Sequence, residues 1–249
     1  MGLPGDRDGD SIADEVDVCP DTVDPEQRDF DKDKVGDACD HCPHIADGVD
    51  PDGDGDGVGD ACDPNPGAQG DSIALWIDFQ ADASVIASWV KSGNWTVEGG
   101  ALKETTGNTQ DSITIPLTVQ RASIATRVTF DGLNGGTPSL ALRSGVAPDT
   151  DTATQFCQCV LFANSNINAR SVFDNNTAGD TNDMWTGTLT LATPLDIKST
   201  ITDKLHCTFA PPASSIQATL SSTTAGVLDI VVQRARVSFD YLFVVDSGG

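Results

Sequence analysis

Three sets of aspartates recur through the first quarter of this chain at a fixed interval. Asp6, Asp29 and Asp52 stand 23 residues apart, as do Asp8, Asp31 and Asp54, and Asp10, Asp33 and Asp56. The interval continues through Ile12, Val35 and Val58, then Asp14, Asp37 and Asp60, then Asp17, Asp40 and Asp63. Counted from the first aspartate of each unit, carboxylates fall at positions 1, 3, 5, 9 and 12, with an aliphatic residue at position 7. The chemistry this spacing serves is capture of a hard cation. Calcium takes roughly six to eight oxygen ligands at about 2.3–2.6 Å, and a curled twelve-residue loop can supply them. Side chains at positions 1, 3 and 5 converge on one ion. Position 7 gives its carbonyl, which leaves its side chain free to be apolar, and position 12 closes the shell. At least three calcium ions are expected.

A disordered acidic tail is the competing explanation. A random Asp-rich tail does not hold five carboxylates, an aliphatic residue and a cysteine in register through a fixed period. Electrostatics also favours the metal. Two like charges at 4 Å repel by about 4 kcal/mol at an effective dielectric near 20. The segment has few large apolar residues, so the ion must supply the folding energy. Position 6 is Ser11, Lys34 and Gly57, so the turn glycine stands only in the third loop. The third loop is therefore expected to form best, and the second least well.

The cysteines follow the same period: Cys19 and Cys42 are 23 apart, and so are Cys39 and Cys62. Four cysteines allow three connectivities. The one that respects the repeat is Cys19–Cys39 with Cys42–Cys62. A two-cysteine, two-aspartate zinc site is weaker, since no CxxC pair faces another. Disulfides imply an oxidising compartment, hence an extracellular or cell-surface location.

The runs Asp6–Pro20, Gln27–Asp40 and Asp52–Asp63 resemble thrombospondin type 3 repeats. The resemblance covers residues 1–64. It implies a chain wrapped around a string of calcium ions, with sequential disulfides and almost no regular secondary structure. It also implies extra ions shared between loops, for which Asp24, Asp47 and Asp50 stand in suitable places. Lys32 and Lys34 depart from the small residues usual between the aspartates.

The elements that carry these residues are marked by charge. The chain has 249 residues and a formal net charge of −24. Residues 1–70 hold 21 acidic against 4 basic residues, and the rest hold 17 against 10. Such asymmetry marks a domain boundary. Residues 65–71, rich in proline and glycine, read as a linker. So acidic a chain is a poor partner for nucleic acid, whose phosphates need Lys and Arg. No apolar run is long enough for a membrane span. The N-terminus lacks the pattern of a signal peptide, so the sequence is expected to begin at or after a processing point, or within a longer precursor.

Residues 72–249 are expected to form an all-β domain. Short β-rich runs alternate with turns: 73–79, 95–97, 113–119, 124–130, 139–143, 156–162, 189–191, 200–209, 216–220, 228–232 and 237–245. The last run places Val237, Phe239, Tyr241 and Phe243 on one face. This pattern argues a β-sandwich. Two stretches, Asp78–Leu102 with its Trp89 and Trp95, and Phe239–Val244, look like the opening and closing of a concanavalin/laminin-G-like jelly roll. The fold class is thus an irregular calcium-wrapped segment followed by a jelly-roll β-sandwich. Cys157 or Cys159 is expected to bridge to Cys207, with Cys159 taken as the partner.

No Ser-His-Asp order, phosphate loop or HExxH motif is present, and no catalytic residue is expected. A paired-carboxylate glycosidase would need two acids in one cleft. The only glutamates of the domain, Glu98 and Glu104, read as turn and strand residues. Trp76, Trp89, Trp95 and Trp185 are candidate sugar platforms but suit a sandwich core better. Asp180, Asn182 and Asp183 form a polar loop beside Trp185. The expected function is a calcium-binding structural protein, self-assembling head to tail into a homo-oligomer or fibre. The alternatives are an adhesin or glycan-binding module, and a secreted glycan hydrolase.

Overall fold

The computed structural model describes the chain outside residues 1–4, 81–82, 147–155, 164–166, 175–183, 188–189, 202–203, 211–212, 220–224 and 249. It divides into two compact units, Met1–Ile73 and Ala74–Gly249. Residues 5–71 contain no helix or strand, only turns and bends. That is what a segment with few large apolar side chains can do: its backbone polar groups are satisfied by carboxylates, not by ladders. Its two disulfides are Cys19–Cys39 and Cys42–Cys62, each spanning 20 residues. Each is worth about 3 kcal/mol in the chain-entropy picture.

The strands begin with β1 (Ser72–Ile77). After a 3₁₀ turn at Ala83–Ile86 come β2 (Val90–Ser92), β3 (Trp95–Val97), β4 (Leu102–Glu104), β5 (Asp111–Val119), β6 (Ala122–Leu133) and β7 (Ser139–Val146). Then follow β8 (Phe156–Ala163), β9 (Ile167–Asp174), β10 (Met184–Gly187), β11 (Pro194–Ile201), β12 (Lys204–Ala210), β13 (Ser214–Thr219), β14 (Gly226–Gln233) and β15 (Ala235–Asp246). They pair into two sheets. One runs β13-β12-β11-β6-β15-β4-β3, with β1 also on β15; the other runs β10-β9-β8-β7-β14-β5-β2. The pairs that build the centre of the sheets, β6–β15, β6–β11, β7–β14 and β5–β14, are all antiparallel.

Period-two alternation puts the core between the sheets. Ile113, Ile115, Leu140, Leu142, Leu228, Ile230 and Val232 come from one sheet; Val128, Phe130, Leu195, Ile197, Val237 and Phe239 come from the other. Burying each such side chain is worth about 1.5–3 kcal/mol. Pro116 lies where the β5–β14 register shifts, between the pairs Thr118–Val227 and Ile115–Leu228. A proline has no ladder donor, so a bulge is where a strand tolerates it.

Four strand expectations need correction. The run 189–191 forms no strand at its described residues, and Leu191 sits exposed in a turn. The run 200–209 is two strands, the end of β11 and β12, which pair antiparallel with each other. The strands β2, β4, β9 and β10 were not expected; β2, β4 and β10 are too short to show a period, and β9 carries Ala169, Arg170 and Ser171 mid-strand. The face of the last strand also changes. The β6–β15 register shifts between Phe239 and Leu242. Val237, Phe239, Leu242 and Val244 therefore face the core. Tyr241 and Phe243 turn the other way, their rings 5.8 and 6.3 Å from that of Trp76.

Cys207 is fully buried and disulfide-bonded. The side chains of Cys157 and Cys159 lie outside the described residues. No described helix is long and apolar enough to cross a membrane.

Candidate metal centres

The three acidic loops share one backbone conformation. Position 4 is left-handed in each, with φ of 86° at Gly9, 68° at Lys32 and 78° at Gly55. So is position 6, with φ of 83° at Ser11, 84° at Lys34 and 95° at Gly57. These two reversals curl the chain so that its N–H groups point inward to the first aspartate. Asp29 accepts from the N–H of Lys32 at 2.7 Å and of Lys34 at 3.1 Å. Asp52 accepts from Gly55 at 2.7 Å and Gly57 at 3.0 Å. The second loop thus takes the same form as the third, with lysines where glycine would be relaxed.

Position 5 ties each loop to the chain beyond it. Asp10, Asp33 and Asp56 each accept through Oδ1 from the N–H of position 7. Their Oδ2 atoms reach 14 residues on, to the N–H of Asp24, of Asp47, and of Gly70. Position 12 turns the chain out of the loop: Asp17, Asp40 and Asp63 accept from the N–H of Cys19, Cys42 and Asn65.

Positions 1, 3 and 5 converge. Asp6, Asp8 and Asp10, Asp29, Asp31 and Asp33, and Asp52, Asp54 and Asp56 each bring three carboxylate oxygens within 4.8 Å of one another. Carboxylate oxygens are also buried in register with no hydrogen-bond donor: Oδ2 of Asp8, Asp31 and Asp54 at position 3, of Asp17, Asp40 and Asp63 at position 12, and of Asp24 and Asp47 at position 19. A buried, unpaired carboxylate oxygen costs several kcal/mol unless a cation or proton meets it. Burial, with Asp33 adding to it, pushes the Asp31 carboxyl up to about 6. Burial, with Asp31 adding to it, pushes Asp40 up to about 7. Burial and the carboxyl of Asp71 push Asp63 up to about 7. Asp52, fed by the Gly57 N–H, is held below the usual carboxylate range. The donor set is all oxygen, anionic and preorganised, which suits a hard divalent cation of flexible geometry.

Position 9 also braces the loop. Asp14, Asp37 and Asp60 accept from the N–H of Arg7, Phe30 and Gly53 at position 2. Their own N–H groups donate to the carbonyls of Gly5, Arg28 and Pro51. These aspartates close the loop on itself. Asp50 also braces its neighbour: it accepts the His41 N–H at 3.0 Å and lies 2.6 Å from His41 Nδ1. One unit earlier Gln27 does the same to the Val18 N–H. The carbonyl role expected of Ile12, Val35 and Val58 rests on their place in the loop; Val58 is wholly buried.

Sequence reasoning missed two features. Asp71 joins Asp56 and Asp63 in a fourth carboxylate group. It escaped notice because the periodic position is Gly70, one residue earlier. The other is a pair of glycines at position 8. A Cβ on Gly36 would stand 2.6 Å from Val18 Cγ2 and 2.7 Å from Cys19 Sγ; one on Gly59 would stand 2.8 Å from Cys42 Sγ. Each glycine admits the preceding disulfide. Ala13, with no unit before it, fills the same position in the first loop.

In the C-terminal unit, Trp89 and Trp95 are core residues, and Trp76 packs on Tyr241 and Phe243. The Trp185 side chain and the loop of Asp180, Asn182 and Asp183 lie outside the described residues. Glu104 is buried and held by the N–H groups of Thr106 and Gly107. On the face of the seven-stranded sheet turned from the core, register aligns Thr114, Asp229 and Arg143. Asp229 accepts from Thr114 Oγ1 at 3.1 Å and lies 3.9 Å from Arg143.

No protein-family model matches this chain, and no curated protein matches it in sequence. Solved structures do. An endo-β-galactosidase of Clostridium perfringens that releases GlcNAcα1-4Gal is similar with a TM-score of 0.52 and 12% identity, over 72% of this chain and 64% of that one. SCLam, a non-specific endo-β-1,3(4)-glucanase of family GH16, has a TM-score of 0.51 and 11% identity, over 71% and 91%. A protein of unknown function with a galectin-like fold from Bacillus subtilis has a TM-score of 0.51 and 10% identity, over 71% and 96%. At such identities the likeness establishes fold alone: the C-terminal unit is a jelly-roll, galectin-like β-sandwich.

Proposed function

We propose that the protein is an extracellular structural module in which residues 1–64 fold around calcium and serve as a connector to the sandwich, in the manner of thrombospondin type 3 repeats. One observation carries this reading: the buried carboxylate oxygens at positions 3 and 12 that recur, without donors, in all three loops. Removing calcium leaves five or more acidic groups of each unit facing one another. Proteolysis with and without chelator tests it. Chelated protein is cut within residues 1–64 while 72–249 stay resistant; equal resistance in both conditions refutes the metal dependence. Assembly into a surface polymer extends the reading. It rests on the edge strands at which the sheets end, and a chain that sediments as a monomer in millimolar calcium removes it.

A second reading is glycan binding by the sandwich. The Thr114–Asp229–Arg143 row favours it, as does the likeness of the fold to glycan-processing enzymes. Hydrolysis is the less favoured form, since the row pairs Asp229 with a hydroxyl and a guanidinium and not with a second carboxylate. A glycan array probed with the wild-type chain and with Asp229→Asn decides it: absence of any hit lost on substitution removes this reading.

A further inference from the structure

We propose that β1 is exchanged between copies of this chain: the β1 strand of one copy lies on β15 of a second copy, in place of that copy's own. The proposal rests on the assembly reading above and names the surface that carries it. Among the described residues β1 pairs with β15 alone, off the path that orders the rest of its sheet. Ala74, Leu75 and Ile77 are half-buried against the core. Trp76 packs on Tyr241 and Phe243, the two β15 residues turned from the core. Tyr241 and Phe243 are buried although they take no part in the cluster between the sheets. The surface under β1 is therefore a built acceptor: a strand edge with an aromatic seat for one indole.

Both ends of β1 make it separable. Before it, residues 65–71 form turns and bends and join no sheet. After it the chain reverses at Phe79, whose φ of 56° is left-handed. A phenylalanine is strained there, because its Cβ crowds the following carbonyl. Two contacts hold the reversal. The Phe79 ring is buried in the core cluster. Asp78, itself buried, accepts the Gln80 N–H through Oδ1 at 3.0 Å. Phe79 is thus a pivot anchored in its own sandwich.

Relaxing Phe79 to an extended φ swings β1 away while the ring stays seated. Exchange then rebuilds the same β1–β15 pairing and the same Trp76 contacts between copies. What one copy loses, the other regains, and the strain at Phe79 is released. A strained hinge beside an edge strand is the setting in which exchange competes with closure. The tether favours closure in dilute solution, since it keeps β1 at a high effective concentration beside its own β15. Exchange therefore grows with protein concentration. Each copy has one strand to give and one edge to fill, so sequential exchange extends a chain of copies, with strand addition supplying the main-chain hydrogen bonds.

The experiment is sedimentation velocity of the full chain in calcium, with two complementary variants. Trp76→Ala spoils the strand that is given, and Tyr241→Ala spoils the edge that receives it. Each alone is expected to assemble only at a concentration about tenfold or more above that of wild type, as loss of a large buried side chain implies. Mixed, they form a one-to-one dimer that grows no further, because only the Tyr241→Ala strand and the Trp76→Ala edge are intact. Protease resistance of residues 72–249 checks that each variant is folded. A second arm holds if either is not: a peptide of residues 71–79 added to wild type fills the edge and dissolves the assemblies, and the same peptide with Trp76→Ala does not. A wild-type chain that assembles, but whose folded variants do not complement or whose assemblies ignore the native peptide, overturns strand exchange and leaves the polymer reading standing. A wild-type chain that is monomeric at every concentration overturns both.

Discussion

The second loop is the most informative place to perturb. Its left-handed positions are filled by Lys32 and Lys34, where the third loop has Gly55 and Gly57. An L-residue in that region costs roughly 1–2 kcal/mol, because its Cβ crowds the following carbonyl. Glycine removes that cost but loses more freedom on folding, about 0.5–1 kcal/mol. The balance for Lys34→Gly is about 0.5–1 kcal/mol in favour of the folded loop. The Lys34 N–H bond to Asp29 is retained, since Gly57 makes the same bond to Asp52. If the ion and the loop form together, the gain appears as roughly two- to fivefold tighter calcium binding at that loop. Lys32→Gly with Lys34→Gly doubles the free energy. Calorimetric titration of the full chain reads both. Lys34→Ala separates charge from backbone, because it removes the ammonium group and keeps the Cβ. Tightening by Lys34→Ala equal to that by Lys34→Gly refutes the backbone argument. The reciprocal change, Gly57→Ala, isolates it from the other side: no atom lies within 4 Å of a Cβ built there, so any weakening is conformational.

Two further outcomes are expected. Gly59→Ala forces a methyl to within 2.8 Å of Cys42 Sγ and 3.2 Å of His41 Cβ; it destabilises the N-terminal unit by about 1–3 kcal/mol, read as earlier cleavage in pulse proteolysis, whereas Ala13→Gly has a small effect. Acidity acts in opposite directions with and without metal. Asp31 is raised to about 6 and Asp40 and Asp63 to about 7, so the folded, metal-free segment holds protons that the unfolded chain releases nearer 4. That contribution is present at low pH and lost as pH rises through 6 to 7. Chelated protein is thus more protease-resistant near pH 5 than at pH 8. Calcium must displace those protons, so its apparent affinity falls as pH drops from 8 to 5. A chelated segment whose resistance rises with pH contradicts both statements.

Much of the candidate site was legible because its chemistry repeats. A 23-residue interval that preserves Asp at 1, 3, 5 and 12 points to a shared geometry before any coordinate is known. What the period cannot separate is two uses of the same residue type. Asp14, Asp37 and Asp60, expected as ligands from the sequence, also hold the loop shut through the N–H of position 2. Asp50, expected as a ligand between loops, also does for His41 what Gln27 does for Val18. The sandwich was legible for a different reason, the alternation of apolar residues. It failed where both faces are apolar, as in β15, since a register shift then leaves no trace in the pattern.

Asp71 shows why a period both reveals and conceals. The repeat places Asp24 and Asp47 at position 19, and the third unit has Gly70 there. Read as a period, the series ends. Read as geometry, it does not, because what position 5 requires at the far end is a backbone N–H, and any residue other than proline supplies one. Asp33 takes two successive N–H groups, at positions 19 and 20, and Asp56 does the same. Once the backbone is held through two residues, either can present a carboxylate to the buried oxygen of position 12. The linker therefore ends the repeat in sequence while completing it in space.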